Sequence, residues 1–301
     1  MSTRPPLWRE AVTLARVARM LLTPPSGRVR RLYEVYDHNN LMTDRSAYIN
    51  LGYWKSGCDT LDEASEALVD LLAERAELQA GDEVLDVGFG YGDQDFRWLK
   101  TRDFARLTGV NVTPSHVRWA TERARKEGVG DKLEFHEGSA TDLRYPDASF
   151  HKVVALESAF HFVHRTDFFQ QAHRVLRPGG TLALIDVMPL ALPESAGGGL
   201  PEQRKNSFSG AIPPGNWYAS DVYAEKLKAA GFVNVRMESI RDHVYEPWQR
   251  YMKKKIAEPE FKSRVSRLYY KQVSTGLRHA DRLQEELAFM DYAVAVAEKP
   301  A

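Results

Sequence analysis

Glu157, Ser158, His161 and His164 fall within eight consecutive residues, ESAFHFVH. A histidine with its ordinary pKa of about 6.5 can take a proton from a hydroxyl near neutral pH. His161 is therefore a candidate general base, or a pocket-shaping hydrogen-bonding wall that moves no proton. Glu157 could orient it, bind a substrate or hold the N-terminal segment. His164 and Arg165 read as structural residues of the following turn. A second chemical feature precedes these, where EVLDV (Glu83–Val87) runs into Gly88-Phe89-Gly90-Tyr91-Gly92-Asp93. Glycines there allow a tight turn and let the backbone approach a ligand. A dinucleotide fingerprint needs three residues from the second glycine to the third, and this turn has two before reaching aspartate. A P-loop needs Gly-Lys-Ser/Thr, which is missing. Phosphate-bearing ligands are disfavoured on both counts.

These residues must be positioned by the elements around them, and the chain alternates strands with helices. EVLDVG precedes a helix from about Gly92 to Leu99. RLTGVNV (Arg106–Val112) precedes a helix opened by Thr113 and Pro114, and LEFHEGSA is a third strand. HKVVALES (His151–Ser158) is a fourth, followed by a helix closed by Pro178-Gly179-Gly180, then TLALIDVM (Thr181–Met188) as a fifth. A later helix (SDVYAEKLKAAGF), VNVRMESI, a charged helical region over about 247–286 and MDYAVAVAEK complete the pattern. In such sheets ligands sit beyond the carboxyl ends of the strands, which puts the glycine turn and ESAFH at one end. Ahead of the sheet, Thr60 or Asp62 can cap a helix over LDEASEALVDLLAERAEL.

Lysine plus arginine (41) equals aspartate plus glutamate (41) in the 301 residues, so the chain lacks the basic excess of a general nucleic-acid binder. The basic stretch YMKKKIAEPEFKSRVSRLYYK (251–271) reads as a solvated helix face, with RNA or an anionic headgroup as the sharper alternative. One cysteine, Cys58, allows no internal disulfide and no cysteine metal cluster, which suits a cytoplasmic protein with no metal. No apolar run is long enough to span a membrane, and no signal-peptide order opens the chain. Residues 6–22 form an amphipathic helix with three arginines, expected to pack on its own domain, on a second subunit of a homodimer, or on a membrane surface.

VLDVGFGYG, GVNVT, GSATDLRYPDASF, VVALESAFHF and VLRPGGTLALIDV occur in order over roughly residues 80–190. In this order and spacing the chain resembles the class I S-adenosylmethionine-dependent methyltransferases, most of all the branch acting on natural products, lipids and sterol- or quinone-like molecules. The resemblance implies an α/β, Rossmann-like, doubly wound sheet of seven strands, mostly parallel with the last antiparallel, carrying N-terminal helices and a helical cap. It implies a lid segment over 1–60 and a methyltransferase domain over 61–301, with substrate-cap insertions near 189–218 and 245–286. S-adenosylmethionine is the implied cofactor. Gly88, Gly90 and Gly92 would leave room for its methionyl part, and Asp86 or Glu157 would meet its cationic end. Asn111 and Val112 would face the ribose, Ala140, Thr141 and Asp142 the adenine, while Tyr36 and Trp54 would close over it. Asn111 departs from the acidic residue usual at that position and is a looser clamp for two hydroxyls. It also speaks against NAD(P), and so against a nicotinamide-dependent oxidoreductase. Tyr33, Tyr53, Phe208, Trp217, Tyr218, Tyr245, Trp248 and Tyr251 suggest a lipophilic or aromatic small-molecule acceptor. His161 matches the histidine that follows an ES pair in related enzymes. O-methylation with His161 as base leads; C-methylation of a terpenoid-, quinone-like or prenyl diphosphate acceptor, and N-methylation, stay open.

Overall fold

The computed structural model describes residues 7–35, 38–55, 57–191, 199–202, 209–278 and 280–301. Seven strands form one sheet in the order β3-β2-β1-β4-β5-β7-β6. The strands are β1 (Glu83–Val87), β2 (Arg106–Asn111), β3 (Leu133–Glu137), β4 (Phe150–Leu156), β5 (Leu176–Pro189), β6 (Val233–Ser239) and β7 (Met290–Glu298). The first five pair in parallel, while β7 lies antiparallel between β5 and β6. This is the doubly wound arrangement expected from the alternating pattern.

The central strands are apolar at nearly every position because helices cover both faces. Alternation then sends successive side chains to opposite cores. Val84, Val154 and Leu156 join one core with Leu68, Leu72, Phe96 and Trp98. Those residues come from α3 (Leu61–Arg75) and α4 (Asp93–Thr101). Leu85, Val87, Val153 and Ala155 join the other core with Phe168, Phe169, Tyr223 and Leu227. Here the helices are α6 (Arg165–Val175) and α7 (Ser220–Ala229). Thr60 caps α3 through a reciprocal pair with Glu63, satisfying two helix-end N–H groups. Between α4 and α6, α5 (Pro114–Glu127) has Pro114 in its first turn and stops at Gly128.

One boundary differs from the sequence pattern. The Pro178-Gly179-Gly180 run does not close α6, which ends at Val175; β5 begins at Leu176, opposite Phe150. Arg177 to Gly180 bulge out before pairing resumes at Thr181 with Lys152. Backbone bonds from Gly179 to Lys299 and from Lys299 to Gly180 hold the bulge, so the chain end selects extended geometry where local signals read as a helix stop.

The N-terminal helices are α1 (Leu7–Leu21) and α2 (Pro25–Val35). The charged region resolves into α8 (Tyr245–Lys255), α9 (Pro259–Arg264), α10 (Arg267–Arg278) and α11 (Ala280–Ala288). Among the described residues no helix is long and apolar enough to cross a membrane.

Candidate active site

A cavity of about 470 Å3 opens beyond the carboxyl ends of β1, β2, β3 and β4. Its floor is the turn after β1, where Gly88 and Gly90 line the cavity while Gly92 stands outside the lining, against Ala120 and Phe135; all three have left-handed φ (91°, 60° and 85°). A Cβ on Gly88 would lie 2.4 Å from that of Ser158, so the ends of β1 and β4 touch there. Ser158 Oγ completes the contact by donating to the Val87 carbonyl at 2.6 Å. Gly138 to Thr141 form the wall beyond β3, and Ala47 to Asn50 with Arg30 and Tyr33 close the cavity from the N-terminal side.

Asp86 is fully buried on β1 and lies behind the cavity, outside its lining. Its Oδ2 accepts from Gln94 Nε2 at 2.7 Å, and Gln94 does line the cavity. The equally buried carboxyl of Asp95 stands beside that of Asp86. Burial pushes the Asp86 carboxyl up to about 6, with its hydrogen bonds to Asp95 and Gln94 opposing the rise. Asp95 is also pushed up, first by burial and then by the charge of Asp86.

Asn111 and Val112 line the cavity at the end of β2. The Asn111 amide faces its own backbone: Nδ2 donates to the Gly90 carbonyl (3.3 Å), and Oδ1 accepts from the Thr113 N–H (3.1 Å). Asn111 thus ties the glycine turn to the next helix, a task an acidic side chain could only half perform, because it has no donor. Ala140 and Thr141 line the third wall, where Thr141 Oγ1 lies 3.0 Å from Ser139 Oγ. Asp142 is exposed, pairs with Arg144 at 3.0 Å, and stands outside the lining.

At the end of β4, Glu157 has φ 48°, a left-handed value rare for a side chain of its size. Its Oε1 accepts from the Leu51 N–H at 2.8 Å and from the Tyr292 hydroxyl. Glu157 therefore joins the N-terminal segment to the last strand while still lining the cavity. Burial pushes its carboxyl up to about 7 against those two hydrogen bonds. His161 follows on a single 3-10 turn (Ala159–His161). Its Nδ1 lies 3.2 Å from the Ala211 carbonyl. A carbonyl can only accept, so Nδ1 carries the proton and Nε2 keeps its lone pair. The Tyr33 ring meets His161 edge-on at 5.5 Å, and burial lowers the imidazole to about 4.

Asn216 fixes this arrangement from the connection after β5. Its Oδ1 accepts from the Arg165 N–H (2.9 Å) and its Nδ2 donates to the Phe162 carbonyl (2.6 Å). Arg165 is fully buried and pairs with equally buried Asp186 at 3.0 Å, which makes it structural.

The aromatic residues expected around an acceptor divide. Tyr33 lines the cavity, whereas Tyr218 and Tyr245 are buried in the body of the fold. Trp54 packs on Tyr251 (5.0 Å) and donates to the Leu51 carbonyl, outside the lining. Tyr36 and Phe208 lie outside the described residues. Sequence reasoning missed Gln94 and His116, both on the cavity wall. His116 is buried between Tyr33 and Tyr91, with ring centroids 6.1 and 4.1 Å away. Each stands in the first turn of the helix after its strand, the signal that could have found it.

The lining suits a ligand without phosphate. Asp93, Glu137 and Glu157 face it against Arg30, and Arg30 is itself paired with Glu137 at 3.5 Å. A floor of glycine backbone at Gly88 and Gly90, with the carboxyls of Asp93 and Glu157 on the lining, fits an elongated ligand with a cationic amino end.

Comparisons with known proteins agree with this geometry. Residues 85–184 match a methyltransferase-domain family. Over 92% of this chain and 91% of its own length, erythromycin 3''-O-methyltransferase of Saccharopolyspora erythraea is 50% identical. The 27-O-demethylrifamycin SV methyltransferase of Amycolatopsis mediterranei is 36% identical over 66% of this chain and 71% of its own. Among solved structures, the cyclopropane synthase MmaA2 from Mycobacterium tuberculosis superposes with a TM-score of 0.73, covering 92% of this chain and 99% of its own at 21% identity, a likeness of fold.

Proposed function

The chain belongs to the class I S-adenosylmethionine-dependent methyltransferases that act on small molecules, and on that premise we propose that it methylates a hydroxyl of a large lipophilic natural product, with His161 as the general base. S-adenosylmethionine is the methyl donor. The observation that carries the proposal is the pinned imidazole: Nδ1 is held by the Ala211 carbonyl, which leaves Nε2 as the acceptor on a cavity-lining side chain. The choice of oxygen, and of a macrolide-like acceptor, follows the names of the relatives that act on erythromycin and on a demethylrifamycin.

When bound, S-adenosylmethionine supplies a methyl group activated by a sulfonium centre. We assign the rest to this chain's residues. Gly88 and Gly90 admit the methionyl part, Gly92 shapes the turn from behind, and Asp86 acts through Gln94 at the amino end. Val112, Ala140 and Thr141 offer walls to the nucleoside, with Asn111 stiffening the turn beneath. Glu157 is read as a positioning residue, holding residues 48–54 closed across the site as the inner part of a lid over 1–60. His161 Nε2 takes the acceptor's hydroxyl proton, and the surrounding apolar wall keeps water from competing.

The test is transfer of isotopically labelled methyl to erythromycin-type and rifamycin-type acceptors that retain the free hydroxyl. A product one methyl heavier, labelled on oxygen, is expected. Label on carbon or nitrogen would overturn the assignment to oxygen.

A further inference from the structure

α1 is an amphipathic helix whose apolar face turns outward. Thr13 is its one buried residue, and Arg9, Glu10, Arg16, Val17 and Met20 are half-buried towards the body of the protein. α1 rests on α2 and α10, and the Glu10 carboxylate accepts from the Arg267 N–H at the start of α10 (2.7 Å). On the opposite side Leu7, Leu14 and Leu21 are 81%, 62% and 68% exposed. Ala11 and Ala18 lie between them and are also exposed, as are Trp8, Ala15 and Leu22 along one edge. The order Leu7, Ala11, Leu14, Ala18, Leu21 steps by four, three, four and three residues, which is a heptad seam with leucine at every d and alanine at every a position.

We propose that this seam is a homodimer interface, with α1 of one copy packed against α1 of a second copy. The proposal is independent of the methyl-transfer reading. A seven-residue repeat is the requirement of a facing helix, whose side chains must interlock with it; a lipid surface asks only for one greasy side. Alanine at the a positions lets two helix axes approach to about 8 Å. The five large apolar side chains of this face and its edge (Leu7, Trp8, Leu14, Leu21 and Leu22) leave roughly 700 Å2 in the open, close to what each partner of a standard-size interface covers. A helix built for anionic lipid would flank that face with cations. Here Arg9 and Arg16 sit on the opposite side, half-buried against their own chain, and Arg19 alone of the three arginines is exposed. A closed two-fold pairing uses the same patch twice, as a self-complementary stripe centred on Leu14 requires.

Sedimentation of the full chain across micromolar concentrations tests this. The wild type should be a dimer, and Leu14→Glu should weaken it roughly 100-fold or more, since a two-fold axis places the change twice in one seam. Leu14 is exposed within each copy, so circular dichroism and the thermal midpoint of the Leu14→Glu monomer serve as fold controls. In a Cys58→Ser background, Leu14→Cys should give a disulfide-linked dimer on mild oxidation. A wild type that is monomeric at about 50 μM overturns the proposal, as does a Leu14→Glu protein that remains dimeric. Leu14-dependent flotation of a monomer with phosphatidylglycerol vesicles would assign the face to lipid instead.

Discussion

The His161 ring is held by a backbone carbonyl fifty residues further along the chain, with Nδ1 3.2 Å from Ala211 O. The base candidate comes from the core of the fold, and the group that selects its tautomer comes from the connection after β5. The set of the imidazole thereby depends on the connection after β5 through one hydrogen bond, although the described residues of that connection stand outside the cavity lining.

Asn216 should therefore behave as a positioning residue. Asn216→Ala removes two hydrogen bonds, one that Oδ1 accepts from the buried Arg165 N–H and one that Nδ2 donates to the Phe162 carbonyl, and loosens the segment that carries Ala211. Turnover is expected to fall about tenfold, with a stability loss of roughly 1–3 kcal/mol and little change in S-adenosylhomocysteine affinity. Steady-state kinetics beside calorimetry separates these; a parallel loss of cofactor affinity would refute the positioning role.

Burial lowers the His161 imidazole to about 4, and protonation would remove the lone pair on Nε2. Activity should thus fall only as pH drops towards 4 and stay insensitive to this group through the neutral range. His161→Ala should lower kcat by about 10²–10⁴ while leaving S-adenosylhomocysteine binding almost unchanged. An acid limb centred near 6.5, or an alanine variant with normal turnover at saturating acceptor, would remove the general-base role.

Glu157 titrates in the opposite sense. Burial raises its pKa from 4.5 to about 7, so the folded protein favours the neutral acid. Its contribution to stability is full below 4.5 and is lost as pH rises through 7, by roughly 3 kcal/mol in total. Glu157→Gln should flatten that part of the pH dependence in chemical denaturation. A wild type and variant that decline in parallel between pH 5 and 8 would show that Glu157 is not the group responsible.

Gly88 is a test of the floor. Gly88→Ala would set a Cβ 2.4 Å from Ser158 Cβ at a φ of 91°, forcing β1 and β4 apart. Cofactor affinity should drop more than tenfold, together with a lower thermal midpoint. Gly81, equally left-handed but with open space around it, is the control: its alanine variant should retain full affinity.

The fold was legible because its buried strands are short apolar runs separated by helices with clear stops, and five strand ends carried their motifs in order. Side-chain direction was less legible. Asp86 and Asp142 stand at the right strand ends, yet one points behind the glycine turn to Gln94 and the other outward to Arg144. Trp54 is spent on Leu51 and Tyr251. These outcomes depend on neighbours far away in the chain, which local spacing does not encode. The extension of β5 through Pro178-Gly179-Gly180 has the same origin, since it depends on Lys299. In α1 the pattern gave the two faces, and only the packing of α2 and α10 decided which was turned inward.

Glu157 accepts from Leu51, 106 residues earlier, and from Tyr292, 135 residues later. Tyr292 lies on the last strand, which enters the sheet between β5 and β6. A ribosome releasing this chain from its N-terminus therefore delivers both halves of the cavity long before the residue that latches them. Closing such long loops is slow relative to local structure. A chain cut short before β7 would carry every motif of the site without the Tyr292 hydroxyl that holds Glu157.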